Sequence, residues 1–144
     1  MNMDQLLEFI GANTLLAAGT VAMALAVLFN ELRLKAGTLA AIPATQAIRL
    51  INGGAKVVDV RDADSFAKGH IVDSLNIAAT DLSGDLPPKL KKAQTVLLVC
   101  DSGARSGQVV NTLRKNGVEK VFNLQGGLGA WQRENLPIVS GNDA

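Results

Sequence analysis

An uncharged stretch from Phe9 to Phe29 constrains this chain more than any other feature of its sequence. As an α-helix, this stretch would rise about 1.5 Å per residue and would reach about 30 Å, the hydrocarbon thickness of a bilayer. Its polar residues are few, namely Asn13, Thr14 and Thr20. We therefore predict one transmembrane helix over residues 9–29, preceded by a short N-terminal tail over residues 1–8.

Two alternatives to a membrane anchor remain for this stretch. A helix in a soluble core would show a polar stripe at helical spacing, and none is visible. A cleaved signal peptide would have basic residues before its apolar run. Here Asp4 and Glu8 precede the run, and no Lys or Arg does. Both alternatives are therefore less favoured than the anchor.

The charges that flank the stretch predict its orientation. Positive residues lie only on the C-terminal side, beginning with Arg33 and Lys35. By the positive-inside rule, the N-terminal tail is outside and the rest of the chain is in the cytoplasm. We expect a single-pass protein of the inner (plasma) membrane, in contact with lipid. Small residues at Ala17, Ala18, Gly19 and Ala22 would also let a second transmembrane helix approach closely, so a membrane-protein partner fits too.

Composition excludes several classes of function for the remaining residues. Net charge is +1, from 14 basic and 13 acidic residues, so we expect no nucleic acid partner. The single Cys excludes an internal disulfide framework and a four-cysteine zinc site. The single His excludes zinc sites that need two. We expect neither a metal nor an organic cofactor.

Short apolar runs alternate with helical patterns after a predicted linker over residues 30–42. This alternation predicts βαβ units, and hence an α/β domain in three layers with a mainly parallel central sheet covered by helices. We place this domain at residues 43–139, with a tail over 140–144. The predicted strands are 57–60, 75–77, 95–99 and 120–124, and the predicted helices are 43–52, 62–68, 106–115 and 128–134, with a loop and a short surface helix over 81–92.

Cys100 follows the clearest predicted strand, at the carboxyl edge of the sheet, where parallel sheets bind ligands. Backbone N–H groups of a short loop running into a helix form an anion-binding nest, which stabilises a thiolate. A cysteine at this place is otherwise a small apolar core residue. The residue types of the next six positions favour the reactive interpretation, and they are Asp101, Ser102, Gly103, Ala104, Arg105 and Ser106.

Each of these loop residues has an expected role. Gly103 allows a positive φ, and Arg105 supplies a cation for an anionic substrate. Ser102 and Ser106 offer hydroxyl groups. Asp101 opposes a thiolate by its charge, unless it pairs with Arg105 or Lys92 and holds the loop.

Four separated motifs resemble those of rhodanese-like domains, over about residues 40–139. They are Val57-Val58-Asp59-Val60-Arg61 with Gly69-His70-Ile71 and Asn76-Ile77, the Cys-x-x-Gly-x-Arg-Ser loop from Cys100 to Ser106, Leu124-x-Gly126-Gly127, and Ala130-Trp131 with Leu136-Pro137. One departure is Ser65, where the family usually has Glu; the neighbouring Asp64 is expected to replace it as a partner of Arg61. The layout of one helix and one such domain is similar to membrane-anchored rhodaneses of the YibN type.

The resemblance implies a thiosulfate sulfurtransferase-like enzyme without a cofactor. Cys100 would take a sulfane sulfur from a small donor such as thiosulfate, become a persulfide, and pass the sulfur to a thiol or to cyanide. Asp59 and Arg61 are expected to form a pair that orders nearby loops. His70 is expected to be structural, and Trp131 to fill the core.

Two other functions compete with sulfur transfer. Phosphatases of related fold use a Cys-x5-Arg loop, whereas only four residues separate Cys100 from Arg105, which gives a smaller ring. A membrane-tethered interaction or regulatory module with minor catalytic activity is the second alternative, which the small residues of the apolar stretch support.

Overall fold

The computed structural model describes residues 2–38 and 40–141. The chain forms two compact units, Met1–Lys35 and Ala36–Ala144. The first unit contains helix α1 (Met3–Ala12) and most of helix α2 (Thr14–Thr38). Within α2, the segment Thr14–Leu32 has the length and composition of a membrane span. In the described part of the chain, this is the one helix that meets those criteria.

The predicted helix over residues 9–29 is interrupted at Asn13, which separates α1 from α2. Asn13 has a non-helical backbone, with φ −129° and ψ 47°. Its side-chain Nδ2 donates to the Phe9 carbonyl oxygen at 3.1 Å, in addition to its backbone N–H at 3.0 Å. Asparagine side chains compete in this way with the helical hydrogen-bond ladder. The long apolar helix therefore begins at Thr14, five residues after the start of the uncharged stretch.

The second unit is built around a five-stranded parallel sheet in the order β1-β5-β4-β2-β3. Strand β4 is central because its run of β-branched and leucine side chains is buried on both faces. The elements in chain order are β1 (Ala41–Ile42), α3 (Ala44–Asn52), β2 (Lys56–Asp59), α4 (Ala63–Lys68), β3 (Leu75–Asn76), a 3₁₀ turn (Asp81–Ser83), α5 (Pro88–Lys91), β4 (Thr95–Val99), α6 (Ala104–Lys115), β5 (Lys120–Leu124) and α7 (Gly127–Arg133).

Side chains of β4 alternate between two hydrophobic cores, one on each face of the sheet. Val96 and Leu98 join a core that includes Val110 and Leu113 of α6. Leu97 and Val99 join a second core with residues of α3 and with Trp131 of α7. Trp131 is buried, and its Nε1–H donates to the Pro137 carbonyl at 3.0 Å, so it fills the core as expected. The predicted three-layer α/β domain with a parallel sheet is confirmed.

Several boundaries differ from the sequence-based expectations. Residues 30–38 of the predicted linker continue α2, and Ala41–Ile42 form the edge strand β1, paired with β5. Helix α6 begins at Ala104, two residues earlier than predicted, which places Arg105 and Ser106 in its first turn. Pro43 is the N-cap of α3, not a residue of its first turn.

Candidate active site

Cys100 lies directly after β4, and the following loop wraps around its sulfur. The Sγ atom accepts hydrogen bonds from the backbone N–H of Gly103 at 3.1 Å and of Ser106 at 3.4 Å. Ser106 Oγ lies 3.2 Å from the same sulfur. Cys100 is 2% exposed, so these contacts replace water around the sulfur. Convergent backbone N–H groups of this kind stabilise negative charge.

The turn of this loop requires glycine at position 103. Gly103 has φ +87°, in the left-handed region that L side chains rarely adopt. A Cβ atom there would lie 2.9 Å from the Leu124 carbonyl oxygen. The glycine therefore lets the loop curl back toward β5 and bring its N–H to the sulfur.

The N-terminus of α7 holds the base of the loop. The Leu128 N–H donates to the Cys100 carbonyl at 2.7 Å, and the Gly129 N–H donates to the Asp101 carbonyl at 3.0 Å. Gly127 makes this approach possible, because a Cβ atom there would overlap the Cys100 carbonyl oxygen and lie 2.6 Å from the Asp101 carbonyl carbon. This contact explains physically why position 127 is a glycine.

Asn123 of β5 is a residue of the site that the sequence analysis missed. Its side chain is buried, and its Nδ2 donates to the Gly103 carbonyl at 2.9 Å. Its Oδ1 accepts from Ser106 Oγ at 2.6 Å. Asn123 of β5 thus holds the turn of the loop at Gly103 and its end at Ser106. A polar residue inside an otherwise apolar buried strand was the available signal.

A chain of three charged side chains connects the loop with the end of β2, and two of them, Asp59 and Arg61, are buried. Arg61 Nη2 lies 2.7 Å from Asp59 Oδ2 and also donates to the Gly69 carbonyl at 2.6 Å. Arg61 Nη1 lies 3.2 Å from Asp101 Oδ1. The hydrogen bond with Asp59 is the main reason that the pKa of Arg61 is raised. Asp59 and Arg61 are therefore brought together with the loop that follows Cys100.

The partner of Asp101 differs from both sequence-based expectations. Its carboxylate pairs with Arg61 and not with Arg105 or Lys92. Asp101 is therefore the second carboxylate that Arg61 contacts, after Asp59. The sequence predicts Asp64 as a partner of Arg61. Because Asp101 precedes the turn at Gly103, its side chain reaches back toward β2. Its carboxylate is 64% exposed, so the pair lies at the mouth of the site.

An open pocket of about 310 Å³ lies beside the sulfur, lined by Cys100, Asp101, Ser102, Ala104, Arg105 and Gln108. Arg105 is one of the lining residues and is exposed. Hydrogen bonds from Ser65 lower the pKa of Asp62, and the positive charge of Arg105 contributes a smaller part of that shift. Arg105 is thus a positive charge in the lining of the pocket beside Cys100.

His70 is buried away from solvent and takes part in packing contacts. Its ring stacks on Phe66, with centroids 3.7 Å apart, and its Nδ1 lies 2.9 Å from the Phe66 carbonyl oxygen. Its backbone exchanges two hydrogen bonds of 2.9 Å with Val139. These contacts join α4 to the segment after α7. Within residues 2–38 and 40–141, no three His, Cys, Asp or Glu side chains are grouped as metal ligands.

Residues 43–134 match the family of rhodanese-like domains. The chain belongs to the rhodanese-like family. This rhodanese-like chain is 34% identical over 142 residues to the uncharacterized protein YibN of Escherichia coli K12, covering 96% of this chain and 99% of YibN. It is 38% identical over 84 residues to a sulfurtransferase of Allochromatium vinosum, covering 58% of this chain and 78% of the relative.

A solved structure of a thiosulfate sulfurtransferase from Pseudomonas aeruginosa also resembles this rhodanese-like chain. The TM-score is 0.65 at 26% sequence identity, over 72% of this chain and 20% of the other. The resemblance drawn from the four sequence motifs is therefore confirmed. At the level of the family, the domain is that of a sulfurtransferase.

Proposed function

We propose that this protein transfers a sulfane sulfur through a persulfide on Cys100. After the thiol proton leaves to solvent, the Cys100 thiolate attacks the outer sulfur of a donor such as thiosulfate. A bond forms between Sγ and that sulfur, the donor S–S bond breaks, and its electron pair leaves with sulfite. A thiol or cyanide then attacks the outer sulfur of the persulfide, and the electron pair of the Sγ–S bond returns to Cys100.

The observation that carries this proposal is that two backbone N–H groups, those of Gly103 and Ser106, point at Cys100 Sγ. One nucleophile activated by its surroundings is sufficient for a two-step transfer. The donors from Gly103 and Ser106 stabilise negative charge at the sulfur without a metal ion. Four residues separate Cys100 from Arg105, whereas five separate the cysteine and arginine of the related phosphatase loop. The shorter loop encloses a smaller space, which suits one sulfur atom better than a phosphoryl group.

Arg105 is proposed to bind anionic donors, and its substitution tests this role. Arg105→Ala should lower kcat/KM for thiosulfate by about tenfold to a hundredfold, mainly through KM, since one charged hydrogen bond contributes about 1.5–3 kcal/mol. Lys115→Ala is a matched control, because it removes the same charge from the exposed last turn of α6. Steady-state kinetics with thiosulfate and with an uncharged donor measure the effect. Equal losses for both donors would contradict anion binding by Arg105.

We also propose that the first unit anchors the domain in the inner membrane, with Cys100 in the cytoplasm. Support comes from the 19-residue apolar segment Thr14–Leu32, which is about 28 Å long as a helix and matches a bilayer core. Arg33 and Lys35 follow this segment, and the positive-inside rule places them in the cytoplasm.

Membrane fractionation tests the anchor. The full chain should sediment with membranes and resist carbonate extraction, whereas a chain that begins at Gly37 should be soluble and still transfer sulfur. A reporter fused to the C-terminus should show a cytoplasmic location. A full chain of uncleaved mass in the soluble fraction would disprove the anchor, and a periplasmic reporter signal would reverse the orientation.

A further inference from the structure

The orientation of the Asn123 amide is fixed by its surroundings. A carbonyl oxygen can only accept hydrogen bonds, so the atom 2.9 Å from the Gly103 carbonyl must be the amide nitrogen. The other end of the amide, Oδ1, therefore lies 2.6 Å from Ser106 Oγ. Because an amide oxygen has no proton to give, the proton of this short hydrogen bond belongs to the Ser106 hydroxyl.

This arrangement decides what Ser106 offers to the cysteine. A hydroxyl has one proton, and in Ser106 that proton is directed to Asn123 Oδ1. Ser106 Oγ therefore presents a lone pair to Cys100 Sγ, 3.2 Å away. A lone pair accepts from a thiol S–H and repels a thiolate. The backbone N–H groups of Gly103 and Ser106 have the opposite effect, because they donate to the sulfur and stabilise the thiolate.

We propose that Asn123 is a positioning residue that controls the protonation of Cys100 through Ser106. By holding the Ser106 proton, Asn123 makes the hydroxyl an acceptor for the resting thiol. The hydroxyl must turn away from Asn123 before it can donate to an anionic sulfur. The use of this control in catalysis rests on the proposed sulfur transfer. The hydrogen bonds themselves involve only Asn123, Ser106 and the Cys100 thiol.

Other charges near the sulfur are the same in every variant of the test. The loop itself carries Asp101, the first turn of α6 carries Arg105, the end of β2 carries the pair Asp59 and Arg61, and the N-cap of α4 is Asp62. None of these residues is substituted. Differences between variants therefore report on Ser106 and Asn123.

The test measures the rate of alkylation of Cys100 by iodoacetamide as a function of pH. Asn123→Leu removes the acceptor, so the freed hydroxyl should donate to the thiolate and lower the midpoint pH of alkylation by about one unit. In a Ser106→Ala background, the same substitution should not lower the midpoint. An unchanged or higher midpoint pH in Asn123→Leu would overturn the proposal. So would an equal fall of the midpoint when Asn123→Leu is made in the Ser106→Ala background.

Ser106→Ala alone gives a second test that does not depend on the folding of Asn123→Leu. Alanine is well tolerated in a helix, so this variant should fold, which circular dichroism can verify. We expect its midpoint pH to stay unchanged or to fall. A rise of about one unit would show that Ser106 donates to the thiolate, and would contradict the proposal. Alkylation needs no sulfur donor, so failure here is distinct from failure of the proposed sulfur transfer.

Discussion

Substitution of Cys100 by serine is expected to abolish sulfur transfer completely while the domain stays folded. The serine oxygen can accept the same hydrogen bonds from Gly103 and Ser106, so the loop retains its partners. A hydroxyl cannot carry a sulfane sulfur, so no persulfide forms. Thiocyanate release from thiosulfate and cyanide measures activity, and thermal unfolding followed by circular dichroism measures folding. Sulfur transfer by a folded Cys100→Ser protein would refute the assignment of the nucleophile.

Gly127→Ala is expected to cause the largest loss of stability among the glycine substitutions. The left-handed backbone at φ +58° costs an alanine roughly 1–2 kcal/mol. Its Cβ would also collide with the backbone of Cys100 and Asp101, and overpacking of this kind adds about 1–3 kcal/mol. The total should be about 2–5 kcal/mol. Because α7 holds the loop, kcat/KM should also fall by about a hundredfold.

Gly117→Ala is the matched control for this variant. Gly117 has φ +94°, but nothing lies within 4 Å of the Cβ position. It therefore has the backbone strain without the collision, and should lose only roughly 1–2 kcal/mol of stability and little activity. Urea denaturation and steady-state kinetics compare the two variants. If both variants lost the same stability and activity, the collision of α7 with the loop would not be the cause of the losses in Gly127→Ala.

Much of the fold follows from local sequence patterns. Strands β4 and β5 lie where their apolar runs predicted them, and α4 lies within the predicted helix over residues 62–68. Strand β1 was missed because its two residues have no strand pattern of their own. They are a strand only through pairing with β5, far along the chain, and such non-local pairing leaves no local signal.

The candidate site was predictable to the extent that it lies in one contiguous segment. The loop from Cys100 to Ser106 combines a strand end, a glycine turn and a helix start, each with a local signature. The partners of that loop come from elsewhere. Arg61 follows the end of β2 and Asn123 lies in β5, so the polar atoms that they meet depend on how these strands pair with β4.

Intact-protein mass spectrometry can show directly whether Cys100 carries the transferred sulfur. After incubation with thiosulfate and removal of the donor, the protein should gain the mass of one sulfur atom. Peptide mapping should place that atom on Cys100, and cyanide or a thiol should remove it. The Cys100→Ser variant should gain nothing. A folded wild-type protein that gains no sulfur from thiosulfate, or gains it at a residue other than Cys100, would contradict the account.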